Sequence, residues 1–275
     1  MSKRVLIVLS EYGYWGEELV GPLTAFDKAG YDVVFATPTG KKPLALPPSK
    51  EAGFVDPPLN KSVTSEETAR IVTALEASDR LDAPLSLEQL VPLRPYVSSP
   101  GYLRELEAYN NVLDELQTTL VAQYDALLLV GGSGPMVDMA NNRRVHDLIL
   151  GFLRQDKPIG AECYGVACLA FAREWEHGTS ILAGKRVTGH TKEYDWTDFT
   201  GVMGIDHNFK TAFYPLEFIL RDATQPGGSY IGNFGKELSV VVDYPFITGR
   251  STHDSYLTGE KMVAVLDDGL RRWGW

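Results

Sequence analysis

One stretch of the 275-residue chain has the pattern of an α/β protein presenting a nucleophile: Lys157-Pro158-Ile159-Gly160-Ala161-Glu162-Cys163-Tyr164-Gly165-Val166-Ala167-Cys168-Leu169-Ala170. A short apolar strand runs into Cys163, a glycine follows two residues later, and a helix of small residues begins at once. A sharp strand-to-helix turn of this kind lifts a side chain above the sheet, and the new helix turns its free N–H groups toward it. A thiol placed there gains thiolate character, because the positive end of the helix dipole favours the charged form. The same residues also fit a cysteine that packs as a small hydrophobe at the end of a core strand.

Strand and helix patterns alternate around this segment. Val5 to Leu9 is a continuous apolar run, as in a strand buried on both faces. Glu17 to Ala29 reads as a helix closed by Gly30, and Tyr31 to Thr37 as a strand stopped by Pro38. The pattern resumes with Ala126 to Val130, the turn Gly131-Gly132-Ser133-Gly134-Pro135, a helix around Val137 to Gln155, and the strand that enters Cys163. Further strands are expected at Arg186 to Thr188, Leu238 to Val242 and Phe246 to Thr248, with a last helix at about Asp254 to Leu266. Such alternation implies a largely parallel sheet covered on both faces. Between Pro43 and about Pro100 the prolines cluster, which reads as an inserted, partly helical, cap-like segment over 43–101 within a single domain spanning 1–275.

Open parallel sheets bind ligands beyond the carboxyl ends of their strands. Three segments end there with usable chemistry: Glu11 to Glu18 after the first strand, Gly131 to Gly134, and Cys163. A carboxylate, a ring of backbone N–H donors and a thiol would meet in one crevice.

Composition excludes several classes of function. The chain is 44% hydrophobic and carries 26 basic against 36 acidic residues, a net charge of −10 without any basic run. That argues against nucleic acid and anionic membrane surfaces as partners. No stretch approaches the ~20 apolar residues of a membrane span, and the apolar run after Met1 reads as a strand rather than a signal peptide. The two cysteines, Cys163 and Cys168, lie too close on one unit to favour a disulfide, and no Cys/His set has zinc spacing. The expectation is a soluble, cytoplasmic protein with no metal.

An ordered series of motifs resembles the DJ-1/PfpI superfamily, especially its larger Hsp31-like branch, and more distantly the class I glutamine amidotransferase domains. The series begins with Glu18-Leu19-Val20-Gly21-Pro22, Ala29-Gly30-Tyr31-Asp32-Val33 and Ala36-Thr37-Pro38-Thr39-Gly40. It continues with the Gly131 to Pro135 turn, the Cys163-Tyr164-Gly165 elbow, Gly184-Lys185-Arg186-Val187-Thr188-Gly189 and Phe246-Ile247-Thr248-Gly249-Arg250. The resemblance covers nearly the whole chain and implies a flavodoxin-like α/β fold, a homodimer and no cofactor. It also implies that Cys163 is the nucleophile, that Glu18 is the carboxylic acid beside it, and that Gly132, Ser133 and the Tyr164 N–H are oxyanion donors. From the residues alone, Glu18 also fits a helix N-terminal acid, and the glycines fit a tight turn.

Two positions depart from the family pattern. Where the Hsp31-like group has a histidine directly after the cysteine, this chain has Tyr164, a poor base at neutral pH. Glu162 stands where an apolar residue is commoner; it fits an acid/base group or a side chain bonded to the turn. A substitute base is sought in His190, near the place where relatives supply a third triad residue, or in His253; either also fits a structural histidine. Glu193 and Asp195 share the His190 loop, while His146 and His177 read as helix-surface residues and His207 as a loop residue. Tyr12, Tyr14, Trp15, Tyr194 and Trp196 fit either a pocket lining or ordinary packing.

The resemblance implies a cysteine enzyme acting on a small reactive carbonyl compound, in the manner of glyoxalase III or a deglycase. Two alternatives stand beside it: a hydratase or lyase of the isocyanide hydratase type, and a non-enzymatic stress chaperone or redox sensor using Cys163.

Overall fold

The computed structural model describes residues 2–56, 60–97, 100–195, 201–202, 205–206 and 215–275. Its centre is an eight-stranded sheet made of β1 (Arg4–Val8), β2 (Asp32–Thr37), β3 (Leu85–Ser86), β4 (Ala126–Leu129), β5 (Ile159–Glu162), β6 (Val240–Asp243), β7 (Phe246–Gly249) and β8 (Arg272–Trp273). Across the sheet the order is β8-β6-β7-β5-β4-β1-β2-β3. The pairs from β7 to β3 are parallel, and β6 runs antiparallel to both of its neighbours. This is the mostly parallel α/β sheet that the alternating pattern predicts, and the flavodoxin-like fold that the resemblance implies.

Alternation along the strands divides the core in two. Leu6 and Val8 of β1, with Leu127 and Leu129 of β4, pack beneath Val145, Leu148, Ile149 and Phe152 of α4 (Arg143–Arg154). Val5, Ile7 and Leu128 face the other way, against Leu19, Leu23 and Phe26 of α1 (Gly16–Ala29) and Met262 and Val265 of α7 (Ser255–Asp267). Each such side chain contributes about 1.5–3 kcal/mol on burial, so both helical layers are held to the sheet independently. Helix α1 closes at Gly30, which takes the left-handed conformation at φ 72° and returns its N–H to the Asp27 and Phe26 carbonyls.

Several elements differ from expectation. The helix expected over Val137 to Gln155 is broken: a short turn at Pro135–Asp138 precedes α4, whose start is capped by Asn142 Oδ1 accepting from the Arg144 N–H at 3.0 Å. Arg186–Val187 pairs with Ser229–Tyr230 outside the main sheet, and α6 (Leu216–Ala223) lies between the two in the chain. Within 43–101 lie the hairpin Val55–Asp56/Lys61–Ser62, α2 (Glu66–Ala77) capped by Ser65, and β3, which extends the main sheet at β2. That segment therefore supplies an edge strand of the sheet, and α3 (Tyr102–Thr119) follows. Among the described residues no helix is long and apolar enough to cross a membrane.

Candidate active site

Cys163 sits where β5 ends and α5 (Val166–Phe171) is about to begin, in a left-handed backbone conformation with φ 52°. A non-glycine residue holds that conformation only when its surroundings enforce it. Two glycines allow the enforcement. A Cβ on Gly165 would lie 2.4 Å from the Leu129 carbonyl oxygen, so only glycine lets the turn pass over β4. A Cβ on Gly131 would lie 2.3 Å from Glu18 Oε2 and 2.8 Å from Cys163 Cβ, so only glycine lets acid and thiol meet.

The thiol is 6% exposed, at the floor of a cavity of about 70 Å³. Trp15, Glu18, Asp56, His190, Tyr194 and His253 are among its walls, and Asp56 comes from the hairpin of the 43–101 segment. His190 Nδ1 lies 3.2 Å from Cys163 Sγ. The His190 ring stacks on Tyr164 with centroids 4.0 Å apart and meets Tyr194 edge-on at 5.4 Å. The backbone N–H groups of Gly132 and Tyr164 are directed at the sulfur.

Acids crowd the other side. Glu18, 2% exposed, is pushed up to about 8, chiefly by burial; the Cys163 and Gly132 hydrogen bonds oppose this and Glu17 adds to it. Glu162 has no exposed surface and is held well above the carboxylate range by burial, then by Glu18 and Asp254. Cys163 is itself pushed up, first by burial and then by Glu18, against the pull of the two N–H groups. Against the thiolate character expected from the helix terminus, burial and the neighbouring acid favour the thiol form.

Of the residues singled out in the sequence, Cys163, Glu18, His190, Trp15, Tyr194 and His253 converge on the cavity, and His253 is exposed at its edge. Gly132 and Tyr164 reach the sulfur through their backbone. Ser133 is half-buried, accepts the Met136 N–H at 3.2 Å, and is not a cavity wall; Glu162 also lies behind the wall. Tyr14 is fully buried and Tyr12 is 60% exposed, and neither lines the cavity. His146 is buried rather than on the surface, with Nε2 2.7 Å from the Ala140 carbonyl oxygen. Trp196 and His207 lie outside the described residues, as does the Asp195 side chain.

Sequence reasoning passed over Ser251, Thr252, Asp254 and Ser255. Ser251 and Thr252 are cavity walls, Thr252 Oγ1 donates to Glu17 Oε2 at 2.8 Å, and Ser255 Oγ donates to Glu162 Oε1 at 2.9 Å. The signal was present: Ser251 and Asp254 form a reciprocal capping box directly after a strand end.

A cysteine held in a left-handed elbow at the carboxyl edge of a mostly parallel sheet, with acid and imidazole on either side, defines an α/β protein of the nucleophile-elbow class. Residues 9–216 match the family described as ThiJ/PfpI family-like, and the chain belongs to that family. Among solved structures it is similar to a protein designated APC35852, at 25% identity and a TM-score of 0.65, over 98% of this chain and 100% of that one. Glyoxalase III from Candida albicans is similar at 18% identity and a TM-score of 0.59, over 97% and 98% of the two chains. DJ-1beta of Drosophila melanogaster is similar at 17% identity and a TM-score of 0.51, over 97% and 91%. No curated protein sequence matches the chain.

Proposed function

We propose that this protein is a cysteine enzyme acting on a small, reactive carbonyl compound. The observation that carries the reading is the 3.2 Å approach of His190 Nδ1 to Cys163 Sγ inside a cavity of about 70 Å³. A buried thiol needs a base to become a nucleophile, and the imidazole stands in hydrogen-bonding reach of its proton. The cavity is smaller than the roughly 150 Å³ that accommodates benzene in an engineered protein core, which favours a substrate of a few heavy atoms. A structurally similar protein is glyoxalase III.

The steps follow from these groups. His190 takes the thiol proton, and the sulfur adds to the aldehyde carbon of a 2-oxoaldehyde to form a hemithioacetal. Gly132 and Tyr164 N–H groups hold the oxygen as it becomes negative. The hydrogen on that carbon leaves as a proton, and a proton is returned to the neighbouring carbon, so the two carbons exchange oxidation levels with no outside oxidant. Glu18, protonated below about 8, is placed to supply or accept that proton. Water then cleaves the resulting thioester to a 2-hydroxy acid and restores the thiol. The residues present supply every proton transfer, so the reading needs no cofactor.

Burial weighs against a redox sensor, because sensing cysteines combine thiolate character with access. The test is consumption of methylglyoxal without glutathione. Lactate formation by the wild type and its loss in Cys163→Ala support the proposal; no turnover by the wild type overturns it.

A further inference from the structure

Trp15 is the largest side chain among the described walls of the Cys163 cavity. It stands just before α1 in an extended backbone conformation. Its N–H donates to the Gly131 carbonyl at 3.2 Å, and a Cβ on Gly132 would lie 2.5 Å from its nitrogen. The Trp15 backbone is thus pressed against the turn that carries the Gly132 N–H. On its other side Tyr14 is paired with the 43–101 segment. The Tyr14 N–H donates to the Leu44 carbonyl at 3.2 Å, and the Tyr14 carbonyl accepts the Leu46 N–H at 2.8 Å. With its backbone held from both directions, the indole can leave the cavity wall only by rotating its side chain.

Phe54 opposes that rotation. The Trp15 and Phe54 ring centroids lie 6.4 Å apart with planes tilted by 60°, inside the range at which aromatic pairs attract. Phe54 is not itself among the cavity walls. It is fixed by the hairpin of the 43–101 segment: its carbonyl accepts the Val63 N–H at 3.0 Å, and the neighbouring Gly53 N–H donates to the Thr64 carbonyl at 2.9 Å. Buried Thr64 in turn donates its hydroxyl to the Pro48 carbonyl at 3.1 Å. Val63, also buried, is a cavity wall. One pair of hydrogen-bonded residues therefore supplies one wall directly, through Val63, and braces a second, through Phe54.

We propose that Trp15 is the wall that limits the size of the electrophile reaching Cys163, and that Phe54 is a positioning residue that holds the indole there. Compounds as small as methylglyoxal reach the sulfur, and those carrying an aryl group are kept from it. The 43–101 segment thereby sets substrate size without supplying a reacting group. The consequence for turnover rests on the function proposed above; the limit on access to the thiol does not.

The test compares iodoacetamide with iodoacetanilide, which share the reacting carbon and differ by one phenyl ring. Labelling of Cys163 by each is timed at alkaline pH by peptide mass spectrometry, and each rate is divided by that of glutathione. In the wild type, iodoacetanilide is expected to be disfavoured by about a hundredfold, because forcing surplus atoms into a filled site is costly. Trp15→Ala should recover about tenfold of this, since neighbours refill such a void only in part. Phe54→Ala should recover about threefold, the scale of an aromatic pair, whereas Phe54→Tyr keeps the ring and should match the wild type. Similar normalised rates for both reagents in the wild type, no labelling of the folded wild type by either, or an unmoved ratio in Trp15→Ala overturns the size limit. An unmoved ratio in Phe54→Ala, or an equal shift in Phe54→Tyr, overturns the positioning role. Cys168 has no exposed surface, so a ratio that moves only together with Cys168 labelling is general opening and also overturns the assignment. Should Trp15→Ala fail to fold, Trp15→Leu takes its place. No carbonyl substrate enters these readouts, so a failure to turn over methylglyoxal would remove the proposed function and leave the size limit standing.

Discussion

The His190 ring lies nearly flat on the Tyr164 ring, 4.0 Å between centroids and 23° between planes. Tyr164 occupies the position after the nucleophile where a histidine was sought, and its ring braces an imidazole arriving from another loop. An aromatic pair of this kind contributes about 0.5–1.5 kcal/mol beyond its buried area. Tyr164→Phe keeps the ring and should retain turnover within about threefold, whereas Tyr164→Ala should lose about tenfold in kcat/KM. Steady-state kinetics on the two variants check this, and an equal loss in both would point to the hydroxyl instead.

His190 itself is only partly buried and is not one of the buried core residues. His190→Ala should therefore melt close to the wild type while losing about 10²–10⁴-fold in kcat/KM, the range expected for a positioned general base. Thermal melts beside single-turnover kinetics separate the two effects. Loss of stability matching the loss of rate would return His190 to a packing role.

Glu18 gives a pH dependence whose sign is fixed by its burial. Its folded-state value of about 8 stands above the ordinary 4.5, so the folded chain holds a proton that the unfolded chain releases. Below about 4.5 both states are protonated and the group contributes no penalty; between about 4.5 and 8 stability falls as pH rises. The slope approaches about 1.4 kcal/mol per unit for an isolated group and is smaller where neighbouring acids share the titration. Glu18→Gln should consequently be less active but more stable than the wild type at alkaline pH, with the gap closing in acid. Melting temperatures of both proteins across that range are the measurement.

The sheet and the elbow were legible in the sequence because each is written locally: apolar runs for buried strands, and a glycine two residues after Cys163 for the turn over Leu129. His190 could be proposed, but its approach to Cys163 depends on a loop packing back across 27 residues of chain, which no local pattern encodes. Ser255 was invisible for the same reason, whereas Asp254 carried a local capping-box signal with Ser251 that was passed over. The placing of Ser255 comes from α7 docking against α1, where a Cβ on Gly21 would lie 2.6 Å from Ser255 Cβ. The break before α4 was missed because apolar periodicity outweighed the capping signal of Asn142. The thiolate character expected of Cys163 is opposed by burial and Glu18, because a helix terminus can be read from sequence, whereas the surrounding desolvation cannot.

That last difference yields a chemical test. If burial and Glu18 hold Cys163 as a thiol, iodoacetamide at neutral pH should label it more slowly than it labels glutathione, despite the cavity that opens onto the sulfur. Cys168 has no exposed surface, and burial pushes it up as well, so it should label only when the chain unfolds. Mass spectrometry of peptides after timed alkylation distinguishes the two sites. Glu18→Gln removes the acid's charge but leaves a neutral donor beside the sulfur, so Cys163 labelling should accelerate most where Glu18 is ionised, above about pH 8. Rapid labelling of the wild type at neutral pH would instead mean that the Gly132 and Tyr164 N–H groups outweigh desolvation. His190 would then orient a thiolate already formed rather than take its proton.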